Sequence, residues 1–174
     1  MKSIREIYRI GTGPSSSHTM GPRKAAEEFL KRSPSGAASY QAVLYGSLAA
    51  TGKGHMTDAA IEDVFSATRL PLEIVWRPET FLPFHPNGMT LRALDNCGAV
   101  MFEMTVYSVG GGAIVIEGDV EEEAKDIYPM DKLTEILDYC ERTGKCYWEY
   151  VEECEGPEIW DYLDEIWTVM CETI

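Results

Sequence analysis

The run Gly11-Thr12-Gly13-Pro14-Ser15-Ser16-Ser17-His18-Thr19-Met20-Gly21-Pro22 sets three consecutive serine hydroxyls and an imidazole among free backbone N–H groups, within twelve residues. Serine side chains add polar groups that must be satisfied and bury almost no apolar area, so a core has little use for them here. Hydroxyls, amides and the start of a helix together suit a carboxylate or a phosphate; a helix-capping loop is the plainer alternative. Ser15, Ser16, Ser17 and His18 are therefore candidate ligand contacts. The other two histidines also stand in Gly/Pro-rich loops, His55 in Gly52-Lys53-Gly54-His55 and His85 in His85-Pro86-Asn87-Gly88. An imidazole titrates near about 6.5 when free, the range of a general base, and Thr57 and Asp58 follow His55 closely enough to orient its ring. Lys53 suits an anion site or a solvated surface. His85 and Asn87 bind a ligand or pin a hairpin turn. Three histidines in three such loops favour a shared pocket over three structural roles.

These loops need elements to position them. Ser3 with Glu6 forms a capping box, which predicts a short helix through Arg9 that presents Ile4, Ile7 and Tyr8 to a core. Pro22 suits a first helical position, and Ala25, Ala26, Phe29 and Leu30 recur at helical spacing. A strand is expected over Tyr40 to Tyr45, then small residues to Ala50, then a helix capped by Thr57 and carrying Ala60, Ile61, Val64 and Phe65. Leu72 to Trp76, Met89 to Leu94, Ala99 to Val109 and Ala113 to Ile116 read as strands. Gly110-Gly111-Gly112 lets a backbone approach a ligand or bends a strand. Further on, Leu133, Ile136, Leu137 and Cys140 mark a helix ending near Gly144, and Ile159, Leu163, Ile166, Trp167 and Met170 mark another. The expectation is an α+β fold, a mixed sheet with helices packed on it, over residues 1–128, with an acidic helical appendage over 129–174.

Charge supports that division. Residues 1–116 carry 11 Lys/Arg against 10 Asp/Glu, whereas residues 117–174 carry 4 against 19, which accounts for the net charge of -14. Nucleic acid is disfavoured, because phosphate binding needs clustered Lys and Arg. The apolar runs are far shorter than the roughly 20 residues of a membrane span, and the N-terminus shows no secretory h-region, so a cytoplasmic protein is expected. Five cysteines without a C-x-x-C pair read as free thiols, and no metal site is expected within this chain. Neither the P-loop pattern nor G-x-S-x-G occurs. Edge strands and an uncovered helical stripe make a homodimer conceivable.

Taken in order, Gly13-Pro14-Ser15-Ser16-Ser17-His18-Thr19 with Gly21-Pro22, Tyr45-Gly46-Ser47-Leu48, Thr51-Gly52-Lys53-Gly54-His55 with Thr57-Asp58, His85-Pro86-Asn87-Gly88-Met89, and Tyr107-Ser108 with Gly110-Gly111-Gly112 resemble the β part of iron-sulfur-dependent bacterial L-serine dehydratase. The resemblance covers about residues 1–118; residues 130–174 look like the helices that join the β to the α part in the single-chain form. It implies a lyase of amino-acid degradation and gluconeogenesis, an L-serine ammonia-lyase converting L-serine to pyruvate and ammonia without pyridoxal phosphate. It also implies a 4Fe-4S cluster, ligated by cysteines of the α part and acting on the substrate hydroxyl as a Lewis acid. By the same resemblance His55 matches the proposed base and Thr57 a residue that tunes it. Ser15, Ser16, Ser17 and His18 match the loop facing substrate and cluster; Lys53 is taken as a substrate contact from its own chemistry. The fold is implied to be similar to the allosteric substrate-binding domain of phosphoglycerate dehydrogenase, and His85 and Asn87 match a loop associated with L-serine binding. The α part and its cysteines are absent from this sequence, so the isolated chain is expected to be inactive. Two other readings remain: an L-serine-sensing regulatory domain without chemistry of its own, and an interaction module built on the acidic helices.

Overall fold

The computed structural model describes residues 1–119 and 125–173. It forms two compact units, Gly11–Glu121 and, separately, Met1–Ile10 together with Glu122–Ile174.

In the first unit a π-helical turn, Ser16–Met20, leads into α1 (Gly21–Arg32), β1 (Ser39–Tyr45) and α2 (Gly46–Thr51). A 3-10 turn, Gly52–His55, precedes α3 (Thr57–Ser66), and then come β2 (Leu72–Arg77), β3 (Gly88–Leu94), β4 (Val100–Gly110) and β5 (Ala113–Ile116). The sheet order is β2-β1-β3-β4-β5. β1 and β2 run parallel because α2 and α3 cross between them, whereas β3, β4 and β5 follow one another through short turns and run antiparallel. This is the expected mixed sheet of an α+β fold. Alternate residues Tyr40, Ala42, Leu44, Met89, Leu91, Ala93, Met104 and Val106 form one buried face with Ala25, Ala26 and Phe29 of α1 and Ile61 and Phe65 of α3. Phe29 centres it, in ring contact with Tyr40, Phe65 and Phe102. The small residues Gly46 to Ala50 fall within α2, the start of the crossover that carries the chain off the sheet. Gly110, Gly111 and Gly112 all take positive φ and make the β4–β5 turn, with open space where a Gly110 side chain would stand.

The second unit contains a 3-10 turn (Ile4–Glu6), α4 (Leu133–Thr143), α5 (Tyr147–Glu155) and α6 (Ile159–Thr173). Tyr128, Ile136, Cys140 and Tyr150 are buried together. Gly144 ends α4 at φ 72°, as its position suggests. α5 is the helix that sequence periodicity did not mark, being short and rich in acids. The expected N-terminal helix stops after one turn. Ser3 Oγ accepts from Arg5 N but donates to Glu155, which also takes the Ile4 N–H and the Tyr128 hydroxyl, while Glu6 pairs with Arg9. The Tyr162 hydroxyl of α6 reaches the Arg5 and Tyr8 carbonyls, Arg5's being one that a continuing helix would use, and Ile7 and Tyr8 are exposed. Among the described residues no helix is long and apolar enough to cross a membrane.

Candidate active site

The serine run folds as a self-capped turn. Ser15 Oγ accepts the His18 N–H at 3.1 Å, Thr19 Oγ1 accepts the Ser15 N–H at 3.1 Å, and the Ser15 carbonyl takes the amides of Thr19 and Met20. Ser16 remains exposed. Close approach to the sheet follows from Gly21: a Cβ there would lie 2.1 Å from Oγ of the fully buried Ser108. Gly21 thus seats the first turn of α1 directly on β4.

The Gly52–His55 turn meets this loop through two reciprocal hydroxyl bonds. Thr19 Oγ1 donates to the His55 carbonyl at 2.7 Å, and the Thr57 hydroxyl, fully buried, donates to the His18 carbonyl. Two peptide segments 36 residues apart are stitched at the backbone, and their imidazoles stand 4.9 Å apart between centroids, tilted by 37°. The chain reaches Thr57 through Met56, a non-glycine residue at φ 57°, ψ 34°. Such a left-handed residue costs about 1–2 kcal/mol, and strain of this kind gathers at functional turns.

Hydrogen bonds decide what each ring offers. His55 Nδ1 lies 3.0 Å from the Thr51 carbonyl, which can only accept, so Nδ1 carries the proton and Nε2 holds the lone pair of the neutral ring. The anchor is therefore Thr51 rather than Thr57 or Asp58. Thr57 acts on the serine turn, with Met56 rather than Thr57 in the helix-capping position, and Asp58 accepts the Ala59 N–H at the start of α3. His18 is clasped between Ser17 Oγ at Nδ1 (2.9 Å) and Ser47 Oγ at Nε2 (3.2 Å). Burial pushes its pKa below 6.5, the nearby His55 pushes the same way, and the Ser47 backbone opposes them.

Ser47 and Thr19 were not among the candidate residues. Thr19 carried a signal as the fifth polar side chain of the run, and Ser47 stands in the Tyr45-Gly46-Ser47-Leu48 motif without any sign of its link to His18. It is set by Gly46, whose φ is 47° and whose Cβ would stand 2.7 Å from the Pro86 carbonyl. That carbonyl accepts the Ser47 N–H at 3.0 Å, so the His85-Asn87 loop adjoins the residue that holds His18.

The remaining candidates are placed differently. Lys53 extends its ammonium over the Trp76 ring, 5.5 Å from the centroid. His85 Nδ1 accepts the Asn87 N–H at 3.1 Å, and the buried Asn87 donates to the Ser108 carbonyl at 3.4 Å while accepting the Ser108 N–H at its own. Among the described residues the His85 ring packs against neither of the other imidazoles. The five cysteines are free, and no group of three or more metal-ligating side chains assembles among the described residues.

The family model described as "Serine dehydratase beta chain" matches residues 3–67 and 64–119, which include every loop of this site. The chain belongs to the serine dehydratase beta chain family. Among its relatives, L-serine dehydratase of Haemophilus influenzae is 31% identical over 98% of this chain and 48% of its own length. L-serine dehydratase of Streptomyces coelicolor is 34% identical over 97% and 48%, and L-serine dehydratase 1 of Escherichia coli 33% identical over 98% and 48%. The chain spans about half the length of the curated relatives it matches.

Proposed function

We propose that this chain is the β part of an L-serine dehydratase, supplying a general base and substrate contacts to an α part. The observation that carries the reading is the Thr51 carbonyl on His55 Nδ1, which leaves Nε2 unprotonated and free to take a proton. The substrate carboxylate lies at the serine turn, against the exposed Ser16 and the partly exposed Ser15 and Ser17. His55 Nε2 removes the Cα proton, the C–H electron pair becomes the Cα=Cβ bond, and the hydroxide that leaves Cβ takes up that proton from the His55 imidazolium to become water. The resulting 2-aminoacrylate tautomerises to an imine and hydrolyses to pyruvate and ammonia. His18, held neutral by its depressed pKa, allows His55 to accept a proton without a second full charge beside it. Thr57 acts through the His18 carbonyl as a positioning residue. An iron-sulfur cluster held by an α part would supply Lewis-acid assistance to the departing hydroxyl.

The test is anaerobic reconstitution with an α part. Turnover of L-serine appears only in the complex, and His55→Ala lowers it by about 100-fold or more while co-elution with the α part persists. Undiminished turnover by that variant overturns the assignment of the base.

A further inference from the structure

Away from the histidines, the sheet carries a second polar arrangement on the alternate residues that point opposite to the core. Register places these residues in rows. Glu73, Gln41, Arg92 and Glu103 are direct neighbours across β2, β1, β3 and β4, and they saturate one another. Gln41 donates to Glu73 at 2.6 Å, Arg92 donates to Gln41 Oε1 at 3.0 Å, and Arg92 Nε donates to Glu103. Two residues further along, Val43 pairs with Val75, and two further again Tyr45 pairs with Arg77 at the carboxyl ends of the parallel strands.

That last row is not saturated. Arg77, Tyr45 and Thr80 line one groove of about 530 Å³ with Val43 and Val75 beneath them, and none of the three uses its side chain in a hydrogen bond or ion pair among the described residues. Thr80 is fixed by its backbone instead, through Thr80 N to the Arg77 carbonyl and Gly46 N to the Thr80 carbonyl. One guanidinium and two hydroxyls converge over an apolar floor, the composition of a small-molecule site. Arg92 is already neutralised by Glu103, and Glu73, which accepts from the Gln41 amide, lies four residues before Arg77 on β2, so at the Tyr45–Thr80 end of the groove the unmatched charge is that of Arg77. A monoanion fits that balance better than a dianion. A planar carboxylate also matches the guanidinium fork.

We propose that this groove binds a small aliphatic monocarboxylate, with Arg77 gripping the carboxylate, Tyr45 and Thr80 donating to it, and Val43 and Val75 receiving the apolar body. Its occupant reaches the histidine pair by a short route. Tyr45 and Thr80 flank Gly46, and the next residue, Ser47, holds His18 Nε2.

The experiment uses the full chain and isobutyrate as probe, followed by amide and arginine side-chain NMR. The expected result is a saturable shift of the Arg77 side-chain resonance and of the Tyr45, Gly46 and Thr80 amides, with isobutyramide and inorganic phosphate giving none. Arg77→Ala weakens the apparent affinity about tenfold or more, Arg77→Lys weakens it less, and His55→Ala leaves it unchanged. Arg77 is exposed, so its variants keep the fold, checked by circular dichroism. The proposal fails if isobutyrate gives no saturable shift, if Arg77→Ala binds as the parent does, or if isobutyramide or phosphate binds equally well. None of these outcomes depends on the dehydratase reading, because neither an α part nor turnover is involved.

Discussion

Two polar loops meet at Ser47 and use their hydrogen-bonding capacity in opposite ways. In the 85–87 loop the donors and acceptors turn inward: His85 Nδ1 takes the Asn87 N–H, and Asn87 closes both its side chain and its carbonyl on Ser108. In the pair of turns at His18 and His55 the backbone is tied by hydroxyls, the His18 ring uses both nitrogens on Ser17 and Ser47, and His55 keeps Nε2 to spare. The two loops look alike in composition, each with Gly, Pro and His. What separates a site that can do chemistry from a loop that holds itself is which nitrogen folding leaves over: in His85 the lone-pair nitrogen is occupied by Asn87 N–H, and in His55 it is free.

The largest effect should come from removing the support the two loops share. In Gly21→Ala the new methyl meets Ser108 at 2.1 Å from Oγ and 2.9 Å from Cβ. It should cost about 1–3 kcal/mol in urea unfolding, and hydrogen exchange should quicken in both loops, since Ser108 also holds Asn87. Equal protection in parent and variant would dissolve the idea of a common support. Thr57→Val separates the loops: it deletes the donor to the His18 carbonyl and should cost about 1–2 kcal/mol, with faster exchange at residues 15–20 and none at 85–87. His85→Ala does the reverse. Loss of the acceptor for Asn87 N should cost about 0.5–1.5 kcal/mol and leave turnover of the reconstituted enzyme close to the parent's. A large loss of turnover there would favour the serine-sensing reading of His85 and Asn87.

The smallest expected effect is electrostatic. His18 binds its proton more weakly folded than unfolded, chiefly through burial, so its contribution to stability is fully present above about pH 6.5 and is lost as the pH falls toward the folded value. Urea midpoints between about pH 7 and about pH 5 should fall more steeply in the parent than in His18→Gln, measured against the same linkage slope. Identical slopes would show that the ring is not depressed.

Much of the sheet was legible because alternation is a local signal: Tyr40, Ala42 and Leu44 announce one face of β1 wherever the strand lies. The helices α1, α4 and α6 declared themselves by period, whereas the Gly110 run, open to a ligand approach or a strand bend by sequence, makes the β4–β5 turn. The N-terminal turn did not, because Glu155 and Tyr162, more than 150 residues away, take the groups that a longer helix would need. The same holds at the site. Three histidines in Gly/Pro loops suggested a shared pocket, yet only two rings meet, and Thr19, Ser47, Thr51 and Thr57, though they stand in the quoted motifs, act through hydroxyl and carbonyl contacts that the motifs do not specify.

The sequence by itself determined the mixed α+β pattern, the acidic helical segment and the three loops rich in hydroxyl and imidazole groups, since these follow from period, charge and turn propensity over a few residues. Tertiary structure alone decided which loops touch, which nitrogen of His55 keeps its lone pair, and that Arg92 of the sheet is paired while Arg77 lines an open groove. Each of those depends on donors and acceptors arriving from distant parts of the chain, and a local pattern carries no record of them.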